Sequence, residues 1–117
     1  MSRSVLLQLA RDSIQEVLQA QRSIDREALL KEHPLLNQKI PTSVKLFIKS
    51  KLRGSFENKE ETKSLLDEII INAKKAAFED LAFSPISTSE YLSCEIELTL
   101  KTEDGLISEK DKPILDE

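Results

Sequence analysis

Leu52-Arg53-Gly54-Ser55-Phe56, a two-faced run closing on Ala76-Ala77-Phe78-Glu79-Asp80, a break at Phe83-Ser84-Pro85, and the alternation Cys94-Glu95-Ile96-Glu97-Leu98-Thr99-Leu100 decide the fold of this chain. The first and last segments have the period of two that marks half-buried strands. The middle one has apolar residues at spacings of three and four. A helix between strands, with one wet face on each strand, predicts an α+β protein whose antiparallel sheet is flanked by helices.

The middle run is the clearest helix. Leu65, Leu66, Ile69, Ile70, Ala73, Ala76 and Ala77 make one broad apolar stripe, and Thr62 or Ser64 can cap it. Beyond it, Ser87-Thr88-Ser89-Glu90 has the spacing of a capping box for one helical turn before the strand over 93–101. Upstream, Val44, Leu46 and Ile48 alternate with Lys45, Phe47 and Lys49, which predicts a strand forming a hairpin with 52–56 through a turn at Ser50-Lys51. Nearer the start, Leu6, Leu7, Ala10, Ile14, Val17 and Leu18 define a helix over 4–20 with Ser4 or Ser2 as cap. A short helix follows Asp25 and ends at Pro34, because the residue before a proline is pushed out of the helical region.

After Leu100 the pattern weakens. Glu103-Asp104-Gly105 reads as a turn and Leu106-Ile107 as a short strand. Residues 110–117, polar and interrupted by Pro113, are expected to form a mobile tail on a single compact domain spanning 1–109. A chain of 117 residues suffices for one core, and 39% hydrophobic with 32% charged residues fits a globule.

Composition narrows the function classes. A net charge of −4 argues against a nucleic-acid binder or a membrane-surface binder, both of which carry a basic excess. No apolar run reaches the roughly 18 residues of a membrane span, and no signal core opens the chain, so a cytoplasmic protein is expected. One cysteine, Cys94, and one histidine, His33, cannot build a closed zinc or iron–sulfur site, and no cofactor motif is present.

Three groups of residues carry candidate chemistry. Arg53-Gly54-Ser55 is a candidate ligand-binding segment: a strand glycine marks a bulge or a close approach, and an arginine beside it can clamp a carboxylate or phosphate. The competing reading is a bulge held by an internal arginine–carboxylate pair. Lys45, Phe47 and Lys49 form a candidate partner surface within a local basic island, against the alternative that lysines on an exposed strand simply guard it from aggregation. Catalysis has weaker support. Ser55 would need an adjacent base, and His33 lies in an unrelated segment; Glu57 with Glu79 could act as acid and base, yet such residues are usually solvated. Cys94 points with Ile96 and Leu98 and reads as a small core residue.

Taken in order, Leu52-Arg53-Gly54, Ala73-Lys74-Lys75-Ala76-Ala77-Phe78-Glu79-Asp80, Phe83-Ser84-Pro85 and Glu95-Ile96-Glu97-Leu98 resemble the AMMECR-domain family, whose bacterial members are called AmmeMemoRadiSam system protein A. The resemblance covers residues 5–109. It implies an α+β fold with an antiparallel sheet flanked by helices, no established activity, and protein partners such as a Memo-like protein and a radical S-adenosylmethionine enzyme. The family motif Leu-Arg-Gly-Cys-Ile-Gly carries a cysteine where this chain has Ser55, and a glycine where it has Glu57. Ala82 stands where an arginine is usual. The resulting expectation is a non-catalytic interaction module or accessory subunit; the alternative is a small anion-binding or enzymatic subunit using Arg53, Gly54 and Ser55.

Overall fold

A computed structural model describes residues 3–60 and 63–115. The alternative caps Ser2 and Thr62, and the last two tail residues, lie outside the described residues. Among the described residues, four helices and four strands run in the order α1 (Val5–Leu18), α2 (Arg26–Glu32), β1 (Thr42–Ile48), β2 (Lys51–Glu57), α3 (Leu65–Phe78), α4 (Thr88–Ser93), β3 (Glu95–Thr102) and β4 (Gly105–Lys110), with a 3₁₀ turn at Pro34–Asn37. The strands form one antiparallel sheet in the order β2-β1-β3-β4. Two hairpins are thus joined edge to edge, and α3 with α4 carries the chain from one to the other.

The helices start where their caps sit. Ser4 accepts from the Leu7 amide, Asp25 from Ala28 and Ser64 from Asp67, while Ser87 and Glu90 form a complete capping box on α4. The β1–β2 turn falls at Lys49-Ser50, one residue before the expected Ser50-Lys51. Both turn residues have left-handed φ, 51° and 66°, the pairing whose twist matches that of the flanking strands.

Alternation sorts the sheet into two faces. Val44, Leu46, Gly54, Ile96, Leu98 and Leu100 are buried on one, where α3 packs on β1 and β2 and α1 on β3. Lys45, Ser55, Glu57, Glu97, Thr99 and Lys101 lie on the other, at least partly open to solvent. The alanines of α3 set the spacing between layers: Ala73, Ala76 and Ala77 are fully packed, and a Cβ on Gly54 would lie 2.2 Å from the Ala76 carbonyl oxygen. Helix and strand backbones touch at that point.

Two polar clusters lie inside this apolar frame. Glu68, 1% exposed, accepts from the Thr42 amide at 2.9 Å and from Asn72 and Asn58, so the start of β1 is tied to α3. Arg11, equally buried, is bound by Asp111. This second cluster changes the reading of the chain end. A mobile tail was expected from residue 110, but Lys110 completes β4, Asp111 is buried, and the Leu115 amide donates to the Leu92 carbonyl at 2.8 Å. A polar sequence there conceals a buried carboxylate whose partners sit about a hundred residues upstream. Among the described residues, no helix is long and apolar enough to cross a membrane.

Candidate functional site

The motif segment sits on β2, and a register shift in it decides where each side chain goes. Leu46 pairs with Gly54 while Phe47 pairs with Leu52, leaving Arg53 as the extra residue of a β-bulge. Its guanidinium reaches Glu90 on α4 and the loop before that helix. Nε donates to Glu90 Oε2 at 2.7 Å, and Nη2 donates to Glu90 Oε1 at 3.1 Å and to the Ser84 carbonyl at 3.0 Å. The Phe83 ring lies beneath it, 5.5 Å from centroid to guanidinium carbon. Phe83-Ser84-Pro85 therefore shapes a cradle for Arg53.

Glu90 does two jobs at once. Its Oε1 also accepts from the Ser87 amide at 3.1 Å, closing the capping box. Hydrogen bonding from Arg53, followed by that from the Ser87 amide, holds the Glu90 carboxyl down at about 2. The bidentate geometry that could have gripped a ligand's carboxylate grips one from the chain itself.

Gly54 and Ser55 face elsewhere. Gly54 meets the α3 backbone, so its role is close approach. The Ser55 amide donates to Asp80 Oδ2 at 2.9 Å, and Asp80 Oδ1 accepts from the Ala82 amide at 2.9 Å, pinning the loop after α3 along the edge of β2. Ser55 itself lines a shallow concavity of about 420 Å³ on the open sheet face, with Ser43, Lys45, Glu57, Glu97 and Lys101 among its neighbours; Arg53 is not in that lining. Three consecutive motif residues thus serve three separate surroundings.

The expected partner surface divides in the same way. Lys45 is exposed at the centre of the open face, and Lys49 is exposed in the hairpin turn. Phe47 is half-buried and covered by Lys110, whose Nζ stands 4.5 Å from the ring centroid and 3.8 Å from Glu95. Lys101 donates to Glu57 at 2.5 Å, which lowers the Glu57 carboxyl. The open face is a lattice of alternating charge.

Groups considered for catalysis are dispersed. Glu57 lines the open-face concavity, whereas Glu79 is exposed at the C-terminal cap of α3. His33 closes α2 and lines a different hollow with Val5, Pro34 and Leu35. Cys94 is fully buried, and burial, only partly offset by the nearby Arg11 guanidinium at 3.7 Å, pushes its thiol up and away from thiolate chemistry. Among the described residues, no cluster of three or more His, Cys, Asp or Glu is placed to hold a metal ion.

The side chains that sequence reasoning missed are Arg11, Asp111, Glu68 and Asn72. A faint signal existed for two of them: Glu68 and Asn72 are four apart and border the α3 stripe, so they share one side of the helix. Arg11 reads as part of the polar face of α1, and nothing local distinguishes it.

Comparison with known proteins agrees with this architecture. The uncharacterised protein PH0010 of Pyrococcus horikoshii superposes with a TM-score of 0.71 at 24% identity, over 81% of this chain and 48% of the other. At that identity the likeness speaks to the fold alone, and this chain spans about half the length of that structure. No curated protein sequence matches the chain. The AMMECR1 family matches from residue 7 to residue 113, a stretch that takes in the Arg53 bulge, the Glu90 cap and the buried Asp111. The chain belongs to the AMMECR1 family.

Proposed function

We propose that this protein is a non-catalytic interaction module, an accessory subunit that presents the open face of its sheet and the adjoining β1–β2 hairpin to a protein partner. The observation that carries this reading is the bidentate Arg53–Glu90 pair. It occupies the one side chain of the motif suited to clamping an anion, at 2.7 and 3.1 Å, with a carboxylate of the same chain. Ser55 shares its concavity with Lys45, Glu57, Glu97 and Lys101, but among the described residues its hydroxyl makes no hydrogen bond to any of them, and His33 lines a different hollow. This weighs against the alternative of an anion-binding or enzymatic subunit built on Arg53, Gly54 and Ser55.

Charge indicates the partner's chemistry. Lys74, Lys101 and Lys110 are matched with carboxylates of the chain, whereas Lys45, Lys49 and Lys51 make no ion pair among the described residues. Lys45 stands opposite Glu97, but Lys49 and Lys51 are exposed in and beside the hairpin turn, a charge that suits an acidic protein surface and steers its approach. By family resemblance, a Memo-like protein or a radical S-adenosylmethionine enzyme is the partner to try first, in the cytoplasm.

The test is capture from the native host with wild type, Lys45→Glu combined with Lys49→Glu, and Ser55→Ala, followed by mass spectrometry. The reading expects a partner that is lost with the charge-reversed variant and retained with Ser55→Ala, at unchanged melting temperature. A partner profile identical in wild type and the charge-reversed variant overturns it.

A further inference from the structure

The two edges of the sheet are finished differently. On the β2 edge, Arg53 bulges outward, the Ser55 amide is bonded to Asp80, and Arg53 reaches the Ser84 carbonyl, so the loop after α3 lies along the strand. Such a bulge and cover are the devices by which proteins keep an edge from pairing with another chain. The β4 edge has neither. Its six residues keep unbroken register with β3, no proline interrupts it, and among the described residues no strand pairs with its outer side. It also exposes two large apolar side chains on opposite faces, Leu106 at 71% and Ile107 at 54%.

We propose that the β4 edge is a self-association surface, where a second copy of this chain adds its own β4 antiparallel to the first and the two sheets become one of eight strands. The residue types select both the partner and the register. With Ile107 on the two-fold axis, Ile107 meets Ile107, Leu106 lies opposite Ser108, Gly105 opposite Glu109, and Asp104 comes opposite Lys110. Ile107 then meets its own copy at the centre, and Asp104, in the turn just before the strand, comes near Lys110 at both ends. Moving the axis to Ser108 places Ile107 against Glu109 and Leu106 against Lys110, and moving it to Leu106 leaves Ile107 against Gly105. Of these, only the Ile107-centred pairing joins an apolar contact on the axis to opposite charges at its ends, and an isologous contact of this kind closes at a dimer.

The proposal is independent of the partner reading above, because it needs neither Lys45 nor Lys49. It is tested on the full chain by sedimentation equilibrium over a wide concentration range. The expected result for wild type is a mass rising from 13.3 kDa to twice that value. Ile107→Lys, which brings two ammonium groups face to face across the axis, weakens association by about tenfold or more, as does Leu106→Lys. Both side chains are exposed, so the circular dichroism and melting temperature at low concentration stay those of the wild-type monomer. Register is read separately: under mild oxidation Ile107→Cys gives a covalent dimer faster than Ser50→Cys in the distant hairpin turn. A single-chain mass at every concentration overturns the proposal. So does a dimer that survives Ile107→Lys, or equal cross-linking of the two cysteine variants.

Discussion

Arg11 on α1 and Asp111 after β4 form a buried ion pair across the whole length of the domain, with Nε to Oδ2 at 2.8 Å and Nη2 to Oδ1 at 3.0 Å. Every edge of the pair is bonded. Arg11 also donates to the carbonyls of Tyr91 and Cys94 and lies over the Tyr91 ring, while Asp111 accepts from Arg3 and from the Ile96 amide at 2.7 Å. Burial alone would raise the Asp111 carboxyl, but the hydrogen bonds from Arg11, Ile96 and Arg3 outweigh it and hold the group below its usual range.

Removing one partner of this pair strands the other in the core. Asp111→Ala is expected to cost about 3–5 kcal/mol, the range for an orphaned buried charge, measured by urea unfolding at neutral pH. The pH dependence has a definite sign. Asp111 ionises at lower pH folded than unfolded, so its stabilisation is fully present above the unfolded value of about 3.9 and is lost as pH falls through the folded one. Asp111→Asn removes that part of the acid sensitivity; an unfolding profile between pH 5 and 2 with the same slope as wild type refutes the assignment.

Gly54 tests the helix–sheet contact. A methyl group there would collide with the Ala76 carbonyl, which belongs to backbone and cannot rotate away, so α3 must shift. Gly54→Ala is expected to destabilise by about 1–3 kcal/mol or more, in contrast to the small gain that alanine for glycine gives on an unhindered strand. Thermal or urea unfolding decides it, and stability at or above wild type would show that the layers are not in contact at this point.

The Arg53–Glu90 pair predicts a titration. In wild type Glu90 ionises near 2. In Arg53→Ala it keeps only the Ser87 amide, and its carboxyl resonance should titrate closer to the ordinary value of about 4.3. The Glu90 contribution to stability is accordingly present above that ordinary value and is lost as pH falls toward 2 in wild type, with a much weaker dependence in the variant. Because Glu90 is more than a third exposed, the loss of stability at neutral pH stays at about 1 kcal/mol or less. NMR titration of Glu90 showing no difference between wild type and Arg53→Ala refutes the pairing in solution.

The sequence by itself determined the elements and their faces. Caps at Ser4, Asp25, Ser64 and Ser87, the stripe from Leu65 to Ala77, and the alternations around Leu46 and Leu98 all have local causes: a hydroxyl or carboxylate reaching its own helix start, and a side-chain period set by backbone geometry. Leu52-Arg53-Gly54, the run from Ala73 to Asp80, Phe83-Ser84-Pro85 and Glu95 to Leu98 carried the family. Tertiary structure alone decided what the polar side chains are for. Gly54 is required by Ala76, and Arg53 is occupied by Glu90. Glu68 holds Thr42, and Asp111 anchors a supposed tail to Arg11. A strong polar contact depends on two groups meeting in a dry place at under about 3 Å, and the chain brings those groups together from 26 to 100 residues apart. No spacing rule along the chain reports such a meeting.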